Sequence, residues 1–183
     1  IPMGRGLGFS GAARVGAAAL AAAQAGGDDG LVERSGEILR CTTELEGHGD
    51  NVAASLHGGV TAFVQGEFVS IPVGPVIADG TFVAWVPDVK TSTDTSRQAL
   101  GPTVDRPDAV HNIGRAIQLV MAFVDDDPML LGAGAVDRMH QTVRLAGVPG
   151  ARDALDAGLA AGAWAGWLSG SGPTVGFMSS SAA

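Results

Sequence analysis

Near its start the chain reads Gly4-Arg5-Gly6-Leu7-Gly8-Phe9-Ser10, directly before an alanine-rich stretch. Glycines admit positive φ and let a backbone approach a ligand closely. A helix beginning just after them presents free N–H groups and a partial positive charge. Together these features form an anion cradle suited to phosphate. A second polar segment, Glu46-Gly47-His48-Gly49-Asp50-Asn51, supplies a carboxylate that can hold Mg²⁺ beside such a cradle, with the Ser10 hydroxyl as a further oxygen ligand. His48, Asp50 and Asn51 place donors and acceptors on one tight turn, as a polar substrate requires. A third segment, Ser169-Gly170-Ser171-Gly172-Pro173-Thr174, is a glycine turn between two apolar runs.

Each segment has a plainer reading. The first loop alone could be a glycine-rich turn with no ligand. Gly6, Gly8 and Gly11 also satisfy the G-x-G-x-x-G spacing of dinucleotide binding, with Asp28 and Asp29 about 20 residues on. That reading needs an acid at the end of a second strand, whereas these aspartates follow a helical stretch. The lysine-bearing P-loop is excluded, because the chain contains no Gly-Lys-Ser/Thr. By itself Asp50 could simply cap a helix, and a glycine turn such as 169–174 is common in hairpins.

The elements that must position these residues are legible in outline. Ser10 is a good N-cap for a helix over 11–24, which the glycines of 26–30 should stop. A helix over 31–45 carries Leu31, Ile38, Leu39 and Leu45 as its apolar stripe. Asp50 caps a short helix over 50–56. Strands are predicted over 60–65 and 68–73, and a buried strand over 82–86. Helices follow over 93–100, 108–124, 129–144 and 151–162, the second striped by Val110, Ile113, Ile117, Val120 and Met121. Strands over 164–168 and 174–178 flank the last glycine turn. Mixed elements without strict alternation predict an α+β fold, with a domain border near 74–80.

Composition bounds the partners. The net charge is −8, with ten arginines and a single lysine, Lys90, which argues against nucleic acid as a partner. The longest apolar run, 15–23, is too short and alanine-rich to span a bilayer. Cys41 is the only cysteine, so no disulfide framework or cysteine metal cluster forms within the chain, which fits a reducing cytoplasm; it reads as a small core residue. The opening residues read as the middle of a protein and the last as an abrupt stop, so truncation is expected at both ends.

Three motifs in one order resemble a known family. Pro2-x-Gly4-x-Gly6-Leu7-Gly8-x-Ser10-x-Ala12-Ala13 resembles the P-x-x-x-G-L-G-S-S-A-A phosphate motif of GHMP kinases. Phe9 replaces its first serine and removes a hydroxyl; Gly11 replaces an alanine, a sterically mild change. The segment 46–55 resembles E-G-H-P-D-N-V-A-P-A of the homoserine kinases, with Gly49 and Ala54 in place of the prolines. The segment 169–174 resembles the third GHMP motif. Val86-Pro87-Asp88 with Ser92, Thr93 and Arg97, the 108–115 stretch, and His140-Gln141-Thr142-Val143-Arg144 also resemble homoserine kinase segments.

The resemblance implies a GHMP kinase-like α+β fold. Residues 1–78 would be part of an N-terminal, S5 domain 2-like domain that binds ATP, and 79–183 an incomplete ferredoxin-like C-terminal domain. It implies ATP and Mg²⁺ as cofactors and L-homoserine as substrate, no nucleic acid or membrane partner, and, for the full-length protein, allows a homodimer in the cytoplasm. ATP phosphates fall to Pro2, Met3, Gly4, Arg5, Gly6, Leu7, Gly8, Phe9, Ser10, Gly11 and Ala12, with Ser169, Gly170, Ser171 and Gly172. The metal falls to Ser10 and Glu46, the substrate to His48, Asp50, Asn51, Thr93, Arg97 and Arg144, and catalysis to Asn51 and Arg97. Arg5, Arg34, Arg106 and Arg152 read as surface ion pairs. The implied fragment does not close an active site by itself. Another GHMP small-molecule kinase and a non-catalytic nucleotide-binding relative stay open, the latter because of Phe9.

Overall fold

The computed structural model describes residues 1–89, 96 and 98–181. The chain forms two compact units: Ile1 with Gly8–Pro72, and Pro2–Leu7 with Val73–Ala183. The glycine loop therefore crosses from one unit to the other at Leu7 and Gly8.

In the first unit, α1 (Phe9–Glu33) starts from Gly8 at φ 71°, a left-handed residue that turns the chain into the helix two residues earlier than the sequence predicts. Ser10 is thus inside the first turn rather than its cap, and its hydroxyl is released for other work. The glycine cluster does not stop the helix. It kinks it at Gly26 and Gly27, the latter at φ 65° and ψ −155°, and helical geometry resumes as far as Glu33. The second helix, α2 (Ser35–Glu46), is correspondingly shorter than expected and ends at left-handed Gly47. Only Ile38 and Leu39 of its predicted stripe are buried; Leu45 is exposed. Cys41 is half-buried at the edge of this packing rather than in the core.

Val15, Leu39, Val52 and Ala53 form the core where α1, α2 and α3 (Asp50–His57) meet. A hairpin closes over it: β1 (Val60–Val64) pairs antiparallel with β2 (Glu67–Ile71). Its two connecting residues, Gln65 and Gly66, both have positive φ, the turn geometry whose twist matches that of the flanking strands. Phe63 and Phe68 are cross-strand partners packed against this core, and Phe68 stacks on His57 at 3.7 Å.

The second unit is built on a three-stranded antiparallel sheet of order β3-β5-β4, with β3 (Thr81–Trp85), β4 (Ala165–Leu168) and β5 (Val175–Ser179). Alternation along the strands separates two clusters. One joins Leu168, Val175 and Phe177 to α7 (Gln141–Ala146) and α8 (Ala151–Ala160) through Leu145 and Leu155. The other joins Ala165, Trp167 and Met178 to α4 (Pro75–Ala78), α5 (Arg106–Asp125) and α6 (Pro128–Gly134) through Ile77, Ala122 and Leu131. Asp126, left-handed at φ 57°, accepts the N–H groups of Val76 and Ile77 at 2.8 and 2.9 Å and so fixes the start of α4.

Three expectations change here. Strand β3 is an edge strand with Phe82 and Val83 exposed, not a buried one. The long helix turns Leu119, Ala122 and Phe123 inward, and leaves Val110, Ile113, Ile117, Val120 and Met121 outside. Apolar residues lie around most of that helix, so periodicity does not tell which side meets the core. The helix expected over 129–144 is two, α6 and α7, separated because the Asp137 carboxylate accepts the backbone N–H groups of His140 and Gln141 at 2.7 and 2.8 Å. That local bond restarts the chain as a new helix. Of the helix expected over 93–100, residues 93–95 and 97 lie outside the described residues.

Candidate active site

The first unit gathers one polar cluster around the start of α1. Ser10 Oγ donates to Glu46 Oε2 at 2.8 Å. Arg14, one turn further along α1, pairs with the same carboxylate oxygen. The Glu46 side chain is only 9% exposed, so the serine and arginine donors compensate its desolvation. Arg14 was not singled out in the sequence, although its position four residues after Ser10 places both on one face of a helix. The second carboxylate oxygen of Glu46 lies 3.9 Å from His48 Nε2.

The His48-to-Asn51 turn is held by Asp50. Its Oδ1 lies 2.7 Å from His48 Nδ1 and also accepts the Asn51 N–H at 2.7 Å. With Asp50 ionised, His48 Nδ1 is the donor of that pair. Asp50 is the first helical residue rather than the cap; Gly49 occupies the cap. A Cβ at Gly49 would come within 2.2 Å of the Phe63 ring, so the missing proline of the family segment is space that Phe63 fills. Asn51 sits against the start of α1, where a Cβ at Gly8 would meet its Oδ1 at 3.1 Å. A Cβ at Gly11 would meet Asn51 Cβ at 3.3 Å. Glycine at 11 is therefore not sterically neutral: it lets the starts of α1 and α3 approach closely. Phe9 is the first residue of α1 and is partly exposed.

The second unit holds the other end of the glycine loop. Ser169 Oγ donates to the Gly6 carbonyl at 2.7 Å, and the Thr174 N–H reaches the Arg5 carbonyl at 3.4 Å. Gly6, at φ 73°, lies so close to the 169–174 turn that a Cβ would stand 2.5 Å from the carbonyl oxygens of Ser169 and Gly172. The turn closes with Gly172 N–H donating to the Ser169 carbonyl at 2.9 Å, ahead of a cis Gly172–Pro173 bond. Arg5 is no surface ion pair: its guanidinium donates to the carbonyls of Pro87 and Val89, the latter at 2.8 Å, anchoring the loop to the chain after β3.

The His140-to-Arg144 segment braces this turn from behind. Gln141 is buried; its Oε1 accepts the Leu168 N–H at 2.7 Å and its Nε2 donates to the Ala135 carbonyl at 2.9 Å. Leu168 immediately precedes Ser169, so this glutamine sets where the turn begins. Gln141→Leu should leave the Leu168 N–H buried and unpaired, costing about 1–3 kcal/mol. A urea unfolding midpoint unchanged by that substitution would refute the staple. Arg144 reaches the carbonyls of Ser96 and Gly170 through long hydrogen bonds of 3.5 and 3.4 Å. Thr93 and Arg97 lie outside the described residues.

The structure therefore brings Ser10, Glu46, His48, Asp50 and Asn51 together with Gly8 and Gly11. Separately, it brings Gly6 together with the 169–174 turn and Arg144. The α1 N-terminus makes no side-chain cap hydrogen bond, which leaves its first turn suited to an anion. Alternating left-handed glycines, Gly4, Gly6 and Gly8, curve the loop backbone leading into it. For Mg²⁺, one carboxylate oxygen beside one hydroxyl matches the sparse oxygen set that this ion uses when phosphates and water complete its shell. Among the described residues no cluster of three or more His, Cys, Asp or Glu side chains forms a self-sufficient metal site.

The mixed helix-and-sheet chain carries the Ser10–Glu46 pair at the start of α1 in one unit and, in the other, the glycine loop seated on the 169–174 turn. Residues 1–59 match the GHMP kinases N terminal domain and 119–183 the GHMP kinases C terminal, and the chain belongs to the GHMP kinase family. Its relatives are homoserine kinases. That of Desulfitobacterium hafniense is 42% identical over 96% of this chain, and that of Moorella thermoacetica 43% identical over 96%. The crystal structure of homoserine kinase from Cytophaga hutchinsonii superposes over 99% of this chain with a TM-score of 0.87 at 28% identity. The chain spans 58% of the length of each of these proteins.

Proposed function

We propose that this chain carries the phosphoryl-transfer groups of an ATP-dependent homoserine kinase, which moves the γ-phosphate of ATP to the hydroxyl of L-homoserine and yields O-phospho-L-homoserine and ADP. The observation that supports it most directly is the Ser10–Glu46 pair at the start of α1, a hydroxyl and a carboxylate 2.8 Å apart beside a helix N-terminus without a side-chain cap. Phosphoryl transfer depends on positioning and charge neutralisation more than on covalent chemistry. The backbone from Pro2 to Ala12, with Ser169, Gly170, Ser171 and Gly172, holds the phosphates. Ser10 and Glu46 would hold Mg²⁺, which supplies positive charge to the phosphate oxygens when bound.

His48, Asp50 and Asn51 orient the amino and hydroxyl ends of homoserine, and Arg97 and Arg144 hold its carboxylate. Asn51 is no general base at neutral pH, so the hydroxyl proton passes to the phosphate or to solvent. A cytoplasmic setting and a homodimer of the full-length protein belong to the same proposal; among the described residues no helix is long and apolar enough to cross a membrane.

The test is ADP release with and without L-homoserine, in the protein at its relatives' full length. Release that depends on homoserine supports the reading, and release equal in its absence removes it. Phe9, standing where the family motif has a hydroxyl, favours a binding-only relative as the second reading. Nucleotide binding without any ADP release would select it. Arg144→Ala is expected to raise the KM for homoserine about 10- to 100-fold, with the KM for ATP nearly unchanged. Equal KM values for homoserine in variant and parent would remove Arg144 from the carboxylate.

A further inference from the structure

His140 stands between an acid and a cation. Its Nδ1 lies 3.3 Å from Arg144 Nη1, one turn along α7, and its Nε2 lies 3.6 Å from Asp137 Oδ2. A guanidinium has only donors, so Nδ1 must be the acceptor of that pair and the ring proton must sit on Nε2, facing Asp137. Asp137 is itself held from several sides. Its Oδ1 takes the N–H groups of His140 and Gln141, and its Oδ2 takes the Asn112 side-chain amide from α5 at 2.5 Å. Asn112 is pinned in turn, its Oδ1 accepting the Arg138 N–H at 3.0 Å. A carboxylate fixed by three donors orients the imidazole, and the oriented imidazole presents one lone pair to Arg144.

We propose that His140 is a positioning residue: set by Asp137, it aims the Arg144 guanidinium at the carboxylate of the amino-acid substrate. This rests on the reading of Arg144 as a carboxylate-holding group. The arrangement works only with a neutral ring. Protonation of Nδ1 would turn the acceptor into a second donor against a cation and remove this contact from Arg144.

The surroundings keep the ring neutral. Burial comes first, with the Arg144 cation adding to it, and they hold the His140 pKa below its ordinary 6.5 against the opposing pull of Asp137. Asp137 stays ionised: burial opposes its charge, but the N–H groups of Gln141 and His140 and the Asn112 amide outweigh it and hold its pKa below 3.8. Among the described residues Asp137 and Arg144 are the charged groups acting on His140, while Arg138 faces Asp108 at 3.9 Å.

The experiment measures the KM for homoserine against pH in the full-length parent, His140→Leu, His140→Gln and Arg144→Ala, with circular dichroism as a check on folding. In the parent, KM is expected to be low and flat above pH ~6.5 and to rise as pH falls below it. His140→Leu, which has no acceptor, should raise KM about tenfold at pH 8 with kcat changed less than twofold. His140→Gln, which keeps an acceptor oxygen but cannot titrate, should restore most of the KM and abolish its acid rise.

A folded His140→Leu with the parent's KM, or an acid rise that persists in His140→Gln, overturns the positioning role while a raised KM in Arg144→Ala leaves the carboxylate reading standing. An unchanged KM in Arg144→Ala overturns both. The ring nitrogens give an independent readout: ¹⁵N NMR should show unprotonated Nδ1 and protonated Nε2 at pH 8, and the opposite tautomer rejects the proposal.

Discussion

Gly6→Ala is expected to unseat the glycine loop from the 169–174 turn and to abolish turnover. Two costs coincide at this position. Its φ of 73° is left-handed, which a side chain makes unfavourable by about 1–2 kcal/mol. The added Cβ would also stand 2.5 Å from two carbonyl oxygens that belong to backbone and cannot rotate away. The loop or the turn has to move, and with it go the Ser169-to-Gly6 hydrogen bond and the backbone N–H groups proposed to hold phosphate. A loss of about 3 kcal/mol or more is expected, in the range reserved for strain at a special backbone conformation joined to overpacking. The urea unfolding midpoint reads the first part and homoserine-dependent ADP release the second. A variant within ~0.5 kcal/mol of the parent and still active would mean that loop and turn do not meet in this way.

Glu46→Gln is the second large effect, and it acts on chemistry more than on shape. The glutamine keeps the volume and an acceptor oxygen for Ser10 but removes the negative charge that faces Arg14 and is proposed to face Mg²⁺. Turnover should fall on the order of 10²–10³-fold, the scale of losing one preorganised electrostatic group. Raising the Mg²⁺ concentration should recover part of it.

The stability cost is smaller. The Glu46 side chain is 9% exposed but that of Arg14 is 39% exposed, so the unpaired guanidinium can turn to water; about 1–2 kcal/mol is expected. Arg14→Gln separates the two roles: it leaves the nearly buried Glu46 carboxylate without its cation and so costs more stability than Glu46→Gln, but it keeps the carboxylate, and Mg²⁺ should still support turnover. If Glu46→Gln and the parent respond identically to Mg²⁺, the carboxylate is only the partner of Arg14.

Some of this was written in local sequence. Three short segments carry the family: the loop before α1, the segment 46–55, and the turn 169–174. Their residues have local duties, such as left-handed glycines, a helix start, and a carboxylate aimed at its own turn, and local duties leave local signatures. The same holds for the order of helices and strands and for the α+β class. Tertiary structure decided which surfaces meet. Arg14 has no motif of its own, and acquires its role because α1 and α2 lie side by side with Glu46 at the end of the second. Periodicity alone did not separate the exposed Val110, Ile113 and Ile117 from the inward Leu119, Ala122 and Phe123.

The break between α6 and α7, the brace from Gln141 to Leu168, and the Asp137–His140–Arg144 chain were invisible for a common reason. Each rests on a polar group whose partner can be known only once burial has removed water as the alternative. In an open chain water satisfies those groups in any conformation. In the folded chain one protein partner remains for each, and it is fixed by elements far away in sequence or by a turn that the sequence pattern reads as continuous helix.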